Sequence, residues 1–321
     1  MILVTGGTGF IGSHLLETLC RAKTPVRCLV RRKKAAPRLP DGSEAVFGDL
    51  ATGEGLERAL AGVDTVIHLA GVTKALRASD YYAGNARATR LLVEALAGRP
   101  VRLVHVSSLA AVGPSADGRP VDEDTEPHPF THYGKSKYES ERVVRELAPG
   151  AVIIRPPVVY GPRDTDVFQV LKSIAKGVVV EIAGGERWFS AIYVLDLVDG
   201  LLQAVRIPEA AGRTYFLAHP KPASWSELSG AAARVMGRNP RVIRVPVAAA
   251  RMVGLSAEIW SQITRKPGIV SREKVSEAEC RWWTCDSSRA SRELGFQART
   301  SLEAGVAQSL AWYKEAGWLE Y

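Results

Sequence analysis

The residues best equipped for chemistry stand in Tyr133-Gly134-Lys135-Ser136-Lys137, at the start of a segment with helical spacing. Tyr133 and Lys137 are four residues apart and so share one face of a helix. A free phenol titrates near pH ~10 and is a poor acid–base catalyst at neutrality, whereas a neighbouring ammonium favours the phenolate and draws that value down. A third polar group, Ser108, closes the apolar run ending in Val106-Ser107-Ser108. A hydroxyl there could hydrogen-bond a substrate oxygen held beside Tyr133. Taken alone, Tyr-x-x-x-Lys is frequent by chance and is usually an exposed pair, so the reading depends on elements that bring the three groups together.

The first dozen residues supply one such element. Met1 to Thr5 is a short apolar strand, Gly6-Gly7-Thr8-Gly9-Phe10-Ile11-Gly12 follows at once, and Ser13 to Leu19 has helical spacing. Strand, glycine turn and helix form the arrangement that binds a dinucleotide pyrophosphate. Gly6, Gly9 and Gly12 let the backbone approach the phosphates, and Phe10 and Ile11 open the helix whose free N–H groups face them. In a parallel sheet the Ser108 end of its strand lies on the same edge as this turn. The positive nicotinamide ring of an oxidised dinucleotide would add to the pull on the Tyr133 proton.

An NAD-preferring site carries an acidic residue after the second strand. Here no Asp or Glu occurs between Glu17 and Asp41, and Arg31 and Arg32 follow Val30 directly. A guanidinium in that place favours a ribose 2′-phosphate, hence NADP(H), with NAD(H) still open. The alternative is that Arg31 to Lys34 is a solvated loop. Asp49 and Leu50, after the third strand, are placed to meet the adenine. Leu69, Ala70 and Gly71, after the fourth, leave room for the cofactor ribose. Each of these alone is more often turn chemistry.

The rest of the first half alternates strand-like and helix-like segments. Val26–Val30, Glu44–Phe47, Thr65–Leu69, Val101–Val106 and Val152–Ile154 read as strands, with helical patterns near 11–22, 53–61, 79–98 and 134–147. This succession predicts an α/β fold, a Rossmann-type doubly wound parallel sheet with helices on both faces. The strands are apolar along their length, as burial on both sides requires. Beyond Arg155-Pro156-Pro157 the pattern loosens into a smaller, discontinuous α/β unit. The expected division gives residues 1–157 and 191–207 to an NAD(P)-binding domain and residues 158–190 and 208–321 to a substrate domain.

With 46% hydrophobic and 24% charged residues in 321, the composition is that of a globular protein. A signal peptide is not expected, because the glycine turn begins at residue 6. No apolar run is long enough to span a bilayer. Cys20, Cys28, Cys280 and Cys285 lack zinc-like spacing and read as free thiols of a reducing cytoplasm, with no metal site. The net charge of +8 is scattered apart from Arg31-Arg32-Lys33-Lys34 and carries no nucleic-acid motif. Attraction for an anionic cofactor or substrate suffices to explain it.

The chain resembles an extended short-chain dehydrogenase/reductase of the NAD(P)-dependent epimerase/dehydratase group. The resemblance rests on Thr5 to Gly12, Gly48-Asp49-Leu50, His68-Leu69-Ala70-Gly71, Val106-Ser107-Ser108, Tyr133 to Lys137, and Arg155 to Pro162. It continues through Ile192 to Asp196 and from Asp286 to Phe296. It implies Ser108, Tyr133 and Lys137 as the catalytic trio, with Lys137 also holding the nicotinamide ribose. It further implies Val106 and Ser107 at the cofactor, the Pro156–Val158 backbone against the carboxamide, Asn85 propping the site, and a homodimer built on the helices near 79–98 and 134–147. Nucleotide-sugar members often carry Arg-Asp where Phe189 and Ser190 stand here, and His where Tyr193 stands. Leu109, Ala110, Ala111 and Val112, after Ser108, offer little to a sugar diphosphate. These departures resemble the branch of dihydroflavonol reductases and 3β-hydroxysteroid dehydrogenases, whose substrates are less polar. Lys74, Arg163 and Arg187 leave a phosphate-bearing substrate open.

The expected activity is thus a cytoplasmic, NADP(H)-dependent interconversion of a small-molecule ketone and secondary alcohol, with Tyr133 as general acid/base. A nucleotide-sugar epimerase or dehydratase with tightly held NAD(P), and a non-catalytic dinucleotide-binding subunit, are the alternatives. Val245 to Ile263 is mostly apolar and reads first as a buried amphipathic helix, otherwise as a lid over a greasy pocket or a face leaning on a membrane. Trp282 and Trp283 either line the pocket or pack the smaller unit.

Overall fold

The computed structural model describes the chain except for residues 32–38, 267 and 269. Strands β1 (Ile2–Thr5), β2 (Val26–Val30), β3 (Ser43–Phe47), β4 (Thr65–His68), β5 (Arg102–Val106) and β6 (Val152–Arg155) are followed by shorter ones. These are β7 (Val158–Tyr160), β8 (Val178–Ile182), β9 (Trp188–Phe189), β10 (Ala191–Tyr193), β11 (Thr214–Phe216), β12 (Ala223–Ser224), β13 (Arg241–Val245) and β14 (Trp282–Trp283). The main sheet has seven strands in the order β11-β6-β5-β4-β1-β2-β3, all parallel. The strand order reverses between β1 and β4, and the crevice at their carboxyl ends is where such sheets take ligands.

The helices are α1 (Phe10–Arg21), α2 (Leu56–Leu60), α3 (Ala78–Tyr82), α4 (Ala88–Leu96), α5 (His132–Leu147) and α6 (Val167–Ala175), then α7 (Val194–Arg206), α8 (Trp225–Met236), α9 (Val247–Thr264), α10 (Arg272–Glu279), α11 (Ser288–Leu294) and α12 (Leu302–Glu315). Alternation along β1 sends Leu3 into the apolar layer under α2, α4 and α5, and Val4 into the layer under α1 and α7. The sheet is therefore covered on both faces, as its apolar strands require. A separate core, with Phe168, Leu171, Leu228, Leu310 and Tyr313, lies among α6, α8 and α12.

Three features differ from the sequence-based expectation. The seventh strand, β11, comes from the stretch assigned to the substrate unit, and it pairs with β6 while Tyr215 and Phe216 are fully buried. Three residues are too few to show a period, so burial alone places them. β10 pairs with β7 in its own ribbon rather than joining the main sheet. The expected buried helix at 245–263 forms as α9, but only Ala250, Gly254 and Ser261 on it are buried.

Candidate active site

The glycine turn is dictated by close approach. Gly6 has φ +75°, and a Cβ there would lie 2.6 Å from the Ala70 nitrogen. At Gly12 a Cβ would lie 2.3 Å from the Gly6 oxygen, so α1 can pack onto the turn only through hydrogen atoms. Gly9 stands at the N-cap of α1 and makes no side-chain cap, so the first turn, opened by Phe10 and Ile11, presents backbone N–H groups to an anion. In front of it is a cleft of about 420 Å³ lined by Gly6, Gly9, Arg31, Asp49, Leu50, Leu69, Ala70 and Gly71. Eight of the expected cofactor residues are thus brought together. Arg32 lies outside the described residues. The cradle that any Cβ would fill and the helix N-terminus fit a dinucleotide pyrophosphate, and Arg31 lies exposed at the rim.

Tyr133, Ser108 and Lys137 meet at the other end of this edge. Thr131 caps α5, its Oγ1 accepting from the Gly134 nitrogen at 3.1 Å, which starts the helix two residues before the spacing predicts. A Cβ on Gly134 would lie 2.3 Å from the Ala110 oxygen, so α5 presses directly on the turn that follows Ser108. Ser108 Oγ accepts from the Ala110 nitrogen at 3.1 Å. Burial holds the Tyr133 phenol above its usual value, opposed by a hydrogen bond from Ser108. Lys137 is buried and its Nζ donates to the Val106 oxygen at 2.7 Å. A Cβ on Gly71 would be 4.0 Å from that Nζ, which puts the ammonium beside the Gly71 backbone that lines the cleft. Burial pushes Lys137 down to about 8, with Glu141 opposing.

One expectation is corrected here. Burial of the phenol outweighs the downward pull expected from a neighbouring ammonium, and a pull of that kind comes from Lys274, on α10. Lys274 is held by Glu277, 2.7 Å away. Neither residue was legible as a site, because Arg272-Glu273-Lys274-Val275-Ser276-Glu277 reads as an ordinary solvated helix. The Pro156–Val158 backbone runs past the same end of β5. The Pro156 oxygen accepts from Leu109 at 2.9 Å and the Val158 nitrogen donates to Ser190 at 3.3 Å, so those two groups are engaged within the chain.

A buried polar network fixes the trio from behind. Between α3 and α4 the helix widens into a single π turn, Ala83–Arg87, which turns Asn85 inward. Asn85 Oδ1 accepts from the Val72 nitrogen at 2.7 Å, and its Nδ2 donates to the Val72 oxygen at 3.0 Å and to Ser136 Oγ at 2.8 Å. The Ser136 hydroxyl in turn donates to the Tyr133 carbonyl at 2.8 Å. His68 lies between Thr5, at 2.6 Å, and Thr89, at 2.9 Å, and burial pushes its pKa down to about 3, so it is a neutral strut. The Ser107 nitrogen donates to Ile154 at 2.6 Å, fixing the end of β5 beside Val106.

The pocket over Tyr133 and Ser108 measures about 320 Å³ and is lined by Leu109, Ala110, Val158, Phe189, Trp225 and Trp283, with Lys274 and Glu277. Of the two tryptophans in question, Trp283 lines it and donates Nε1 to the Glu277 carbonyl at 2.8 Å. Trp282 instead stacks with Arg281. Arg187 reaches the pocket wall, but its guanidinium is bonded to the carbonyls of Ile182, Gly185 and Ala183. Arg163 is paired with Glu17 at 2.6 Å, and Lys74 with Asp166. Arg187, Trp225 and Ala278 also line a neighbouring recess of about 720 Å³ walled by Val170, Ile174, Val180 and Ile182.

A doubly wound sheet with a glycine turn at its switch point, and a Ser, Tyr and Lys gathered on the same edge, defines an enzyme of the extended short-chain dehydrogenase/reductase class. The chain belongs to the NAD dependent epimerase/dehydratase family, which matches residues 2–218. It is 32% identical over 320 residues to a ceramide reductase of Caulobacter vibrioides, covering 99% of this chain and 96% of that one. It is 29% identical to N-acetyl-alpha-D-glucosaminyl-diphospho-ditrans,octacis-undecaprenol 4-epimerase of Escherichia coli O157:H7, covering 96% and 94%. Among solved structures, that of gox2253 superposes with a TM-score of 0.82 at 26% identity, covering 100% of this chain and 99% of the other.

Proposed function

We propose that the protein is an NADP(H)-dependent reductase that interconverts a ketone and a secondary alcohol on a lipophilic molecule. The observation that carries this reading is the apolar pocket above Tyr133 and Ser108, whose lining cations, Arg187 and Lys274, are already bonded to carbonyls and to the Glu277 carboxylate. Likeness to a ceramide reductase supports it. The glycine turn would hold the pyrophosphate, Arg31 the 2′-phosphate, Asp49 and Leu50 the adenine, and Leu69, Ala70, Gly71 and Lys137 the riboses. Val106, Ser107, Pro156 and Val158 would flank the nicotinamide. When bound, the reduced dinucleotide supplies the hydride. Ser108 and Tyr133 hold the carbonyl oxygen, and Tyr133 hands it the proton. The raised pKa of Tyr133 suits this direction, because the phenol stays protonated at neutral pH and protonated phenol is the donor. Residues 1–157 and 191–207 would form the cofactor domain, with β11 added to its sheet, and 158–190 and 208–321 the substrate domain. Free thiols and a reduced cofactor suit a cytoplasmic enzyme, and pairing through α3–α4 and α5 would make the homodimer.

Net cofactor use tests the reaction class. A reductase oxidises one NADPH for each long-chain ketone reduced, as followed by NADPH absorbance and product mass. Conversion without NADPH loss would make the protein an epimerase, and tight NADPH binding with no conversion of any ketone would make it a binding subunit. Arg31→Asp tests the cofactor choice: with the charge-assisted bond to the 2′-phosphate removed, the Kd for NADPH rises roughly 10- to 100-fold while that for NADH does not. Equal affinities of the wild type for NADPH and NADH would refute the preference.

A further inference from the structure

We propose that α9 docks the enzyme flat on an anionic lipid bilayer; this rests on the lipophilic-substrate reading above. The helix is inside-out. Ala250, Gly254 and Ser261 face the body, and a Cβ at Gly254 would lie 2.9 Å from Val275 on α10, so the two helices approach too closely for large side chains between them. The bulky residues are turned to solvent. Met252 is 71% exposed, Trp260 66% and Ile263 69%, and Val253, Leu255 and Ile259 complete the same arc. On 100° per residue these six span less than half of the helix circumference, with only the small residues Ala248, Ala249 and Ser256 among them. No charged residue interrupts the arc. A contiguous exposed apolar face of this kind marks an interaction surface.

Charge and position select a bilayer as the occupant. Arg265 and Lys266 follow the helix at its exposed end, and Arg241 precedes it on β13, where Arg244 is paired with Glu181 at 3.4 Å. The two carboxylates beside the arc are neutralised, Glu258 by Arg272 at 2.7 Å and Glu279 by Arg251 at 2.6 Å. Apolar residues flanked by cations fit an anionic headgroup layer, into which Trp260 and Ile263 would sink while the cations stay at its surface. No helix among the described residues is long and apolar enough to cross a membrane, so the contact is peripheral. The recess behind the catalytic pocket is lined in part by Val270, on the connection between α9 and α10, so a chain leaving the bilayer at α9 meets that recess next.

The test uses the full chain and vesicles of phosphatidylcholine containing about 30% phosphatidylglycerol, beside vesicles of phosphatidylcholine alone. Expected are co-sedimentation with the anionic vesicles at least about tenfold stronger than with the neutral ones, weakened by salt, and a further drop of at least about tenfold in the double variant Trp260→Asp/Ile263→Asp. That variant keeps its far-UV spectrum, its NADPH affinity and its oligomeric mass. The proposal fails if the wild type stays in the supernatant, if the double variant binds vesicles as well as wild type, or if light scattering shows that the variant dissociates an oligomer, which would make α9 a contact between copies. A water-soluble ketone separates this from the activity: loss of vesicle binding with normal NADPH oxidation sinks only the docking, and vesicle binding without oxidation of NADPH by any ketone sinks only the reductase.

Discussion

Tyr133→Phe abolishes carbonyl reduction, lowering kcat/KM by about 10²- to 10⁴-fold, and leaves the Kd for NADPH unchanged. The substitution removes one oxygen. The ring keeps its place beside Tyr81, whose centroid lies 6.3 Å away, and the glycine turn and the Lys137–Val106 bond are untouched. What is lost is the phenol hydroxyl that Ser108 bonds at the pocket. NADPH oxidation in a single turnover measures the loss, and fluorescence titration of NADPH measures the cofactor site. Full activity in the variant would exclude Tyr133 as the acid. The wild-type pH profile carries a second mark of the same site. Burial places Lys137 at about 8, so its ammonium is complete below that pH and disappears above it. The phenol, raised by burial, stays protonated through the same range. Reduction is therefore level at neutral pH and declines as the pH passes about 8. A profile that stays level well above that pH would remove Lys137 from the chemistry.

The parts of this site that were legible are those in which backbone geometry and side-chain type coincide. A glycine turn leaves its mark because no other residue fits at Gly6 and Gly12, and a Tyr and Lys four apart on a helix must share a face. Arg31 stood out through the lack of an acid at a strand end, and the structure places it on the cleft in front of the glycine turn. The rest depends on contacts between distant segments. Lys274 and Glu277 reach Tyr133 only because α10 packs against the mouth of the pocket, and nothing in the periodicity of α10 distinguishes them from solvated charges. Asn85 is turned inward by a π turn that its residues do not announce. For α9 the apolar count was read correctly and its direction was not: small residues at Ala250, Gly254 and Ser261 take the inner face, so hydrophobicity points outward. Periodicity reports a stripe, and only the neighbour decides which stripe is buried.

Glu141→Gln should strongly destabilise the fold. Glu141 is fully buried on α5, one turn beyond Lys137, and its carboxylate takes two bonds from Arg155 at the end of β6, at 2.9 and 2.8 Å. Arg155 is itself buried and lies over the Phe216 ring. Burial pushes the Glu141 carboxyl up, but the bonds and charge of Arg155 outweigh it and hold the value below 4.5. A folded value below the unfolded one means that the pair's stabilisation is complete above 4.5 and is lost as the pH falls through the folded value. Removing the carboxylate strands a buried guanidinium, which costs roughly 3–5 kcal/mol. For a chain of this size that lowers the melting temperature by roughly 10 °C at neutral pH. The second effect is catalytic. Glu141 is the charge that opposes the fall of the Lys137 pKa, so without it the decline in the pH–rate profile moves below about 8. Replacing both partners by apolar residues, Glu141→Leu with Arg155→Met, restores much of the stability and leaves the shifted profile, because the guanidinium is no longer stranded while Lys137 still lacks its counter-ion. A single variant that melts with the wild type would show that the pair does not bolt α5 to the sheet, and a double variant with the wild-type profile would show that Glu141 does not tune Lys137.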